Sequence, residues 1–126
     1  MKKKIAILGS TGSIGKSTLD VIRKDKNNFD IFLLTANNNY KQLIKQAKQF
    51  KAKNVLIKNN KFYLKVKKSL KKTKTKVYSG DISIKKIISE KLDYTMSAIV
   101  GLVGLQPTID AIKVSKTVAI ANKEAI

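Results

Sequence analysis

The chain has neither cysteine nor histidine among its 126 residues. The first absence excludes a disulfide framework, a thiolate metal centre and a cysteine nucleophile. The second excludes imidazole general bases and histidine-held metals. Acid is scarce: eight Asp and Glu stand against 27 basic residues, a formal charge of +19. That balance raises nucleic acid as a partner. All but one of the basic residues are Lys, Arg23 being the exception. The bidentate fork that reads bases and clamps phosphates is therefore almost missing. Aromatics are equally sparse, four Tyr and four Phe, and they form no stacking platform interleaved with the lysines. The lysines read as solvated helix faces, without a nucleic-acid partner. Long apolar runs are lacking too. The opening Met1-Lys-Lys-Lys-Ile-Ala-Ile-Leu8 stops at Gly9, short of the roughly 7–15 apolar residues of an export signal. Nothing approaches the ~20 residues that span a bilayer. The chain reads as a soluble, cytoplasmic domain with no membrane partner, long enough to bury a core unaided.

What is present is an alternation. Short apolar runs at Lys4–Leu8, Asp30–Ala36, Asn54–Ile57, Lys76–Ser79, Asp93–Ala98 and Thr117–Ala121 read as buried strands. Between them lie stripes at helical spacing: Gly15, Thr18, Leu19 and Ile22; Tyr40, Leu43, Ile44, Ala47 and Phe50; Tyr63, Val66 and Leu70; Ile84, Ile87 and Ile88. In the second stripe Lys41, Lys45, Lys48 and the glutamines are expected to face out. Asn27-Asn28 is read as ending the first helix. A last helix is expected on Leu105, Ile109 and Ile112, with Pro107 near its first turn. The pattern predicts an α/β fold, a doubly wound, mainly parallel sheet of about six strands, Rossmann-like. Ligands in such sheets lie at the carboxyl ends of the strands. Residues 9–15, 37–39 and 122–124 fall there.

Gly9-Ser10-Thr11-Gly12-Ser13-Ile14-Gly15 joins a strand to a helix, the context that gives a glycine motif meaning. Gly9 permits a tight turn, Gly12 lets backbone N–H groups approach an oxyanion, and Gly15 allows close helix packing. Ser10, Thr11 and Ser13 are read as additional hydroxyl donors, beside a favourable helix dipole. The spacing G-x-x-G-x-x-G is a variant of the dinucleotide fingerprint. Gly15-Lys16-Ser17 imitates a nucleoside-triphosphate loop, but that motif needs glycine at position 10, which is Ser10. A merely tight turn is the bland alternative.

The second strand selects the cofactor. An acid at its end suits the free ribose of NAD, whereas polar or basic groups suit the 2′-phosphate of NADP. Here Ala36-Asn37-Asn38-Asn39-Tyr40-Lys41 contains no acid, so NADPH is expected over NADH. The asparagines can also be read as a loop, with Asn39 as a helix cap.

Five blocks together resemble the 1-deoxy-D-xylulose 5-phosphate reductoisomerase family: Gly9–Gly15, Ser17-Thr-Leu-Asp-Val21, Ala98-Ile-Val-Gly101, Gly104-Leu105 with Pro107-Thr108, and Ala121-Asn-Lys-Glu124. The middle, roughly Lys51 to Tyr94, resembles nothing specific. The resemblance implies an NADPH-dependent enzyme of isoprenoid-precursor synthesis. It converts 1-deoxy-D-xylulose 5-phosphate, a small sugar phosphate, to 2-C-methyl-D-erythritol 4-phosphate with Mg²⁺ or Mn²⁺. Carried over, Thr11, Gly12, Ser13 and Ile14 contact the cofactor phosphates and ribose. Asn37, Asn38 and Asn39 lie near the 2′-phosphate. Asn122 and Glu124 approach the nicotinamide side, and Lys123 reaches the substrate, although Lys123 also reads as a surface lysine. Another NADP-dependent Rossmann oxidoreductase, or a basic nucleic-acid-binding module, remains as an alternative.

Two departures qualify the resemblance. The family often has Gly and Lys where this chain has Asn37 and Asn38; Lys41, one turn on, is the candidate replacement cation. The chain also ends at Ile126. Residues 1–126 are therefore expected to be the NADPH-binding Rossmann-like domain. The metal ligands, catalytic residues and C-terminal parts are expected outside it, with a homodimer expected of the full-length enzyme. The eight acids are scattered and suggest no metal site within this chain.

Overall fold

A computed structural model describes residues 2–88, 91–99, 107 and 113–120. Six strands form one parallel sheet: β1 (Lys3–Leu8), β2 (Phe29–Ala36), β3 (Asn54–Ile57), β4 (Lys76–Ser79), β5 (Leu92–Ser97) and β6 (Ser115–Ile120), in spatial order β4-β3-β2-β1-β5-β6. Helices α1 (Ser13–Arg23), α2 (Tyr40–Phe50), α3 (Tyr63–Ser69) and α4 (Ile84–Ile87) connect them. The chain winds outward from β1 to β4, then returns to place β5 on the other side of β1. This reversal makes the carboxyl end of β1 the switch point, where open α/β sheets bind ligands.

Alternation along the strands separates two cores. Ile5 and Ile7 of β1 join Leu19 and Ile22 of α1, Leu43 and Ala47 of α2, and Val66 of α3 on one face. Ala6 and Leu8 face the other way, toward Ile84 and Ile87 of α4. Helices thus cover both faces, the doubly wound arrangement expected. A bulge shifts the β1–β2 register after Ile5, from Ile5 opposite Ile31 to Ala6 opposite Leu33. Phe32 and Leu33 consequently both fall in the α4-side core. Each fully buried Leu or Ile here contributes about 1.5–3 kcal/mol.

The strands β3 and β4 have the bounds read from the sequence, and the others differ by one or two residues. Helix α1 stops at Arg23, before Asn27-Asn28, which lie in a separate 3₁₀ turn, Lys26–Asn28. One outward assignment fails: Gln46 of α2 is 3 % exposed. Periodicity assigns residues to a helix face by polarity, and Gln46 is polar because it has a buried polar partner. Of the last helix, Pro107 is helical, while Leu105, Ile109 and Ile112 lie outside the described residues. Among the described residues no helix is long and apolar enough to cross a membrane.

Candidate functional site

The glycine loop follows β1 at the switch point, and each glycine has a distinct reason to be there. Gly9 has φ of +79°, a conformation that L side chains rarely adopt, and a Cβ on it would stand 3.1 Å from Ala98 O. Gly15, in the first turn of α1, is tighter: a Cβ would lie 2.5 Å from both Gly9 O and Ser10 Cα. The close approach is between the helix and the loop itself. At Gly12 a Cβ would meet only Gly9 O, at 3.7 Å. Gly12 immediately precedes α1 and offers no side-chain cap. The first-turn N–H groups, which a helix cannot satisfy internally, are therefore available to an anion.

Neighbouring strands hold the loop in place. Gly9 N–H donates to Thr35 Oγ1 at 2.9 Å, and Ser10 N–H to Thr35 O at 2.9 Å. Ala98 N–H donates to Leu8 O at 2.9 Å. Ser10, expected as a ligand donor, is instead fully buried. Its hydroxyl donates to Gln46 Oε1 at 2.7 Å, and Gln46 Nε2 donates back to Ser10 O at 2.9 Å. A buried hydroxyl needs an internal partner, and α2 supplies it, so Ser10 anchors the loop. The remaining positions face outward: Thr11 is half-buried, and Gly12, Ser13 and Ile14 are exposed. Thr35 and Gln46 are the positioning residues that local sequence patterns did not reveal. A threonine closing the apolar run Ile31–Leu34 was the available signal for the first.

A cleft of about 700 Å³ opens beside this loop, at the carboxyl ends of β2, β3 and β4. Thr35, which holds Gly9, lines it, as does Ile99, whose Cγ1 lies beside the Gly9 position. Asn37 and Asn38 form one wall. Asn38 Oδ1 accepts from Asn59 Nδ2 at 2.8 Å, and Asn37 O accepts from Asn59 N–H at 3.0 Å. Asn39 accepts from Gln42 N–H at 3.2 Å and caps α2; it does not line the cleft. Neither does Lys41, the candidate replacement cation. Among the described residues the lining cations are Lys58, just after β3, and Lys85 of α4, with Asp81 as the acid. Lys58 and Asp81 form an ion pair of 3.0 Å. A basic residue directly after a strand was the sequence signal for Lys58; it lay in the stretch without family resemblance.

Asn122, Lys123 and Glu124 lie outside the described residues. Among the described residues, no three acidic side chains gather into a metal site. Asp93 is remote from the loop, at the opposite end of the sheet. Asp93 is held below its ordinary pKa, chiefly because Lys4 N–H donates to its carboxylate at 2.9 Å. Lys116 and Lys3 add to this, while burial opposes it. One aromatic arrangement also escaped the sequence. Tyr40 stacks on Phe62 with centroids 4.5 Å apart, and Lys65 Nζ lies 5.3 Å from the Tyr40 ring. Both rings are half-buried and pack against the α1–α3 core, which commits them to packing.

Residues 5–126 match the family of 1-deoxy-D-xylulose 5-phosphate reductoisomerase. The enzyme of that name from Pelagibacter ubique is 54% identical over 98% of this chain and 32% of its own length. The Zymomonas mobilis reductoisomerase, solved in complex with NADPH, is 38% identical with a TM-score of 0.93, over 99% of this chain and 33% of that one. A reductoisomerase solved with NADPH, fosmidomycin and magnesium is 33% identical with a TM-score of 0.89, over 98% and 31%. The chain thus spans about a third of the length of these relatives. With nearly its whole length matched, the chain belongs to the 1-deoxy-D-xylulose 5-phosphate reductoisomerase family.

Proposed function

We propose that this chain is the NADPH-binding part of a reductoisomerase that converts 1-deoxy-D-xylulose 5-phosphate to 2-C-methyl-D-erythritol 4-phosphate. The observation that carries the reading is the loop Gly9–Gly15 at the switch point. It is packed tight at Gly15, open at Gly12 and pinned by Thr35 and Gln46. In this reading the exposed arc Thr11, Gly12, Ser13 and Ile14 receives the pyrophosphate and ribose. Its N–H groups and the α1 dipole offset the phosphate charge. The cleft beside it takes the adenosine, with Asn37 and Asn38 at the 2′-phosphate; Asn39 serves as the α2 cap. The absence of an acid at the end of β2 removes the repulsion that a 2′-phosphate would meet. NADPH, when bound, supplies the hydride for the reduction.

Asn122 and Glu124 follow β6 and are assigned to the nicotinamide side, with Lys123 assigned to the substrate. All three rest on family resemblance. Mg²⁺ or Mn²⁺ and the residues that hold it are assigned to sequence outside these 126 residues. So are the catalytic groups and the homodimer contacts, and the working compartment is the cytoplasm. Titration of the chain with NADPH and NADH, followed by nicotinamide fluorescence, tests the cofactor assignment. Tighter binding of NADPH is expected, and equal affinities would refute it. The 126-residue chain should not oxidise NADPH when given deoxyxylulose phosphate and metal. Metal-dependent turnover would overturn the division of labour.

A further inference from the structure

A 2′-phosphate in the adenosine cleft needs a cation, and the residues after β2 provide none: Asn37, Asn38 and Asn39 are neutral. Lys41 lies off the cleft, and Lys58 and Lys85 line it. The two are not equivalent. Lys58 N–H donates to Ala36 O at 2.8 Å, and the next N–H, of Asn59, donates to Asn37 O at 3.0 Å. These bonds continue the β2–β3 ladder past the strand ends and tie the Lys58 backbone to the loop that selects the cofactor. Lys85 lies in α4, the helix that follows β4.

We propose that Lys58 is the residue that discriminates NADPH from NADH in this chain, taking the 2′-phosphate by exchanging its ion pair with Asp81. The inference rests on the dinucleotide reading above and deepens it. The Lys58–Asp81 pair is open to water, its side chains 49% and 91% exposed. Such a pair contributes little to stability and is readily exchanged. A phosphate dianion is a stronger partner than a single exposed carboxylate. Asp81 then holds the lysine in the cleft before the cofactor arrives and competes mildly with it. A strand-end lysine thereby does the work of the cation missing beside β2.

The test is direct titration of the protein carrying this sequence with NADPH and with NADH, for the parent and for Lys58→Ala, Lys58→Arg, Asp81→Asn and Lys85→Ala. Lys58→Ala should weaken NADPH by about tenfold, the low end for a charge-assisted contact in an exposed setting, and leave NADH unchanged. Its NADPH affinity should also respond less to added salt. Lys58→Arg should preserve the preference. Asp81→Asn should tighten NADPH by a few-fold, roughly the effect of losing one exposed competitor. This opposite sign keeps the proposal testable even where Lys58→Ala fails to fold. An unchanged NADPH to NADH ratio in Lys58→Ala, or equal losses for both cofactors, would overturn the inference and leave the dinucleotide site standing. A ratio that moves only with Lys85→Ala would do the same. A parent protein that binds neither cofactor would overturn the dinucleotide reading and, with it, the role of Lys58.

Discussion

Two glycines three residues apart should respond differently to one added methyl group. At Gly15 the new Cβ would lie 2.5 Å from Gly9 O and Ser10 Cα and 2.7 Å from Ser10 C. These are backbone atoms of a segment held by Thr35 and Gln46, so they cannot yield as a flexible side chain would. Overpacking of this kind costs about 1–3 kcal/mol, and direct conflict with backbone belongs at or above the top of that range. Alanine recovers about 1 kcal/mol of helix propensity. The net expectation for Gly15→Ala is a loss of about 2 kcal/mol, a fall of about 8 °C in Tm for a domain of this size. At Gly12 the Cβ meets one atom at 3.7 Å, and the backbone, at φ −76° and ψ 173°, suits any residue. Gly12→Ala should change stability by less than about 1 kcal/mol, because the entropy it removes from the unfolded chain is offset by the poorer fit of alanine at a helix N-cap. Its methyl nevertheless occupies the approach to the α1 N–H groups, so NADPH affinity should fall by about tenfold or more, the equivalent of 1.4 kcal/mol. Urea unfolding followed by circular dichroism, with NADPH titration in parallel, separates the two effects. A Gly15→Ala variant as stable as the parent would refute the packing argument. A Gly12→Ala variant with undiminished affinity would show that the loop does not seat the pyrophosphate.

Gln46→Leu removes the partner of the buried Ser10 carbonyl and leaves the Ser10 hydroxyl only its longer bond to Thr35 O, at 3.4 Å, and should cost about 1–3 kcal/mol; the double variant with Ser10→Ala should recover part of that loss in the same urea assay. Lys51 ends α2 in the left-handed conformation, φ 52°, so Lys51→Gly should raise stability by up to about 1 kcal/mol without altering cofactor affinity. Asp93 has a folded pKa below its ordinary value, so its contribution is present above the unfolded pKa. It disappears as pH falls through the lowered one. Acid unfolding of Asp93→Asn should accordingly show a weaker pH dependence than the parent below about pH 4, near the ordinary carboxylate pKa, and an identical profile would remove Asp93 from that account.

The alternation of strand and helix was legible in the residues alone, because burial on one face or both leaves a period that neighbouring residues display. Asn54–Ile57 and Lys76–Ser79 could be read to the residue for that reason. The glycine loop was legible too, since a turn at the end of a buried strand restricts side chains at fixed offsets. Which element meets which was not legible. Strand order, with β5 returning beside β1, follows from pairing across the sheet. The inward turn of Ser10 depends on Gln46, 36 residues away. The placement of Lys58 on the cofactor cleft depends on the pairing of β3 with β2. Each is a contact between distant segments, and a polar residue's role there is set by its partner. Contacts across the fold make Ser10 an anchor of the loop and bring a lysine after β3 to the cleft.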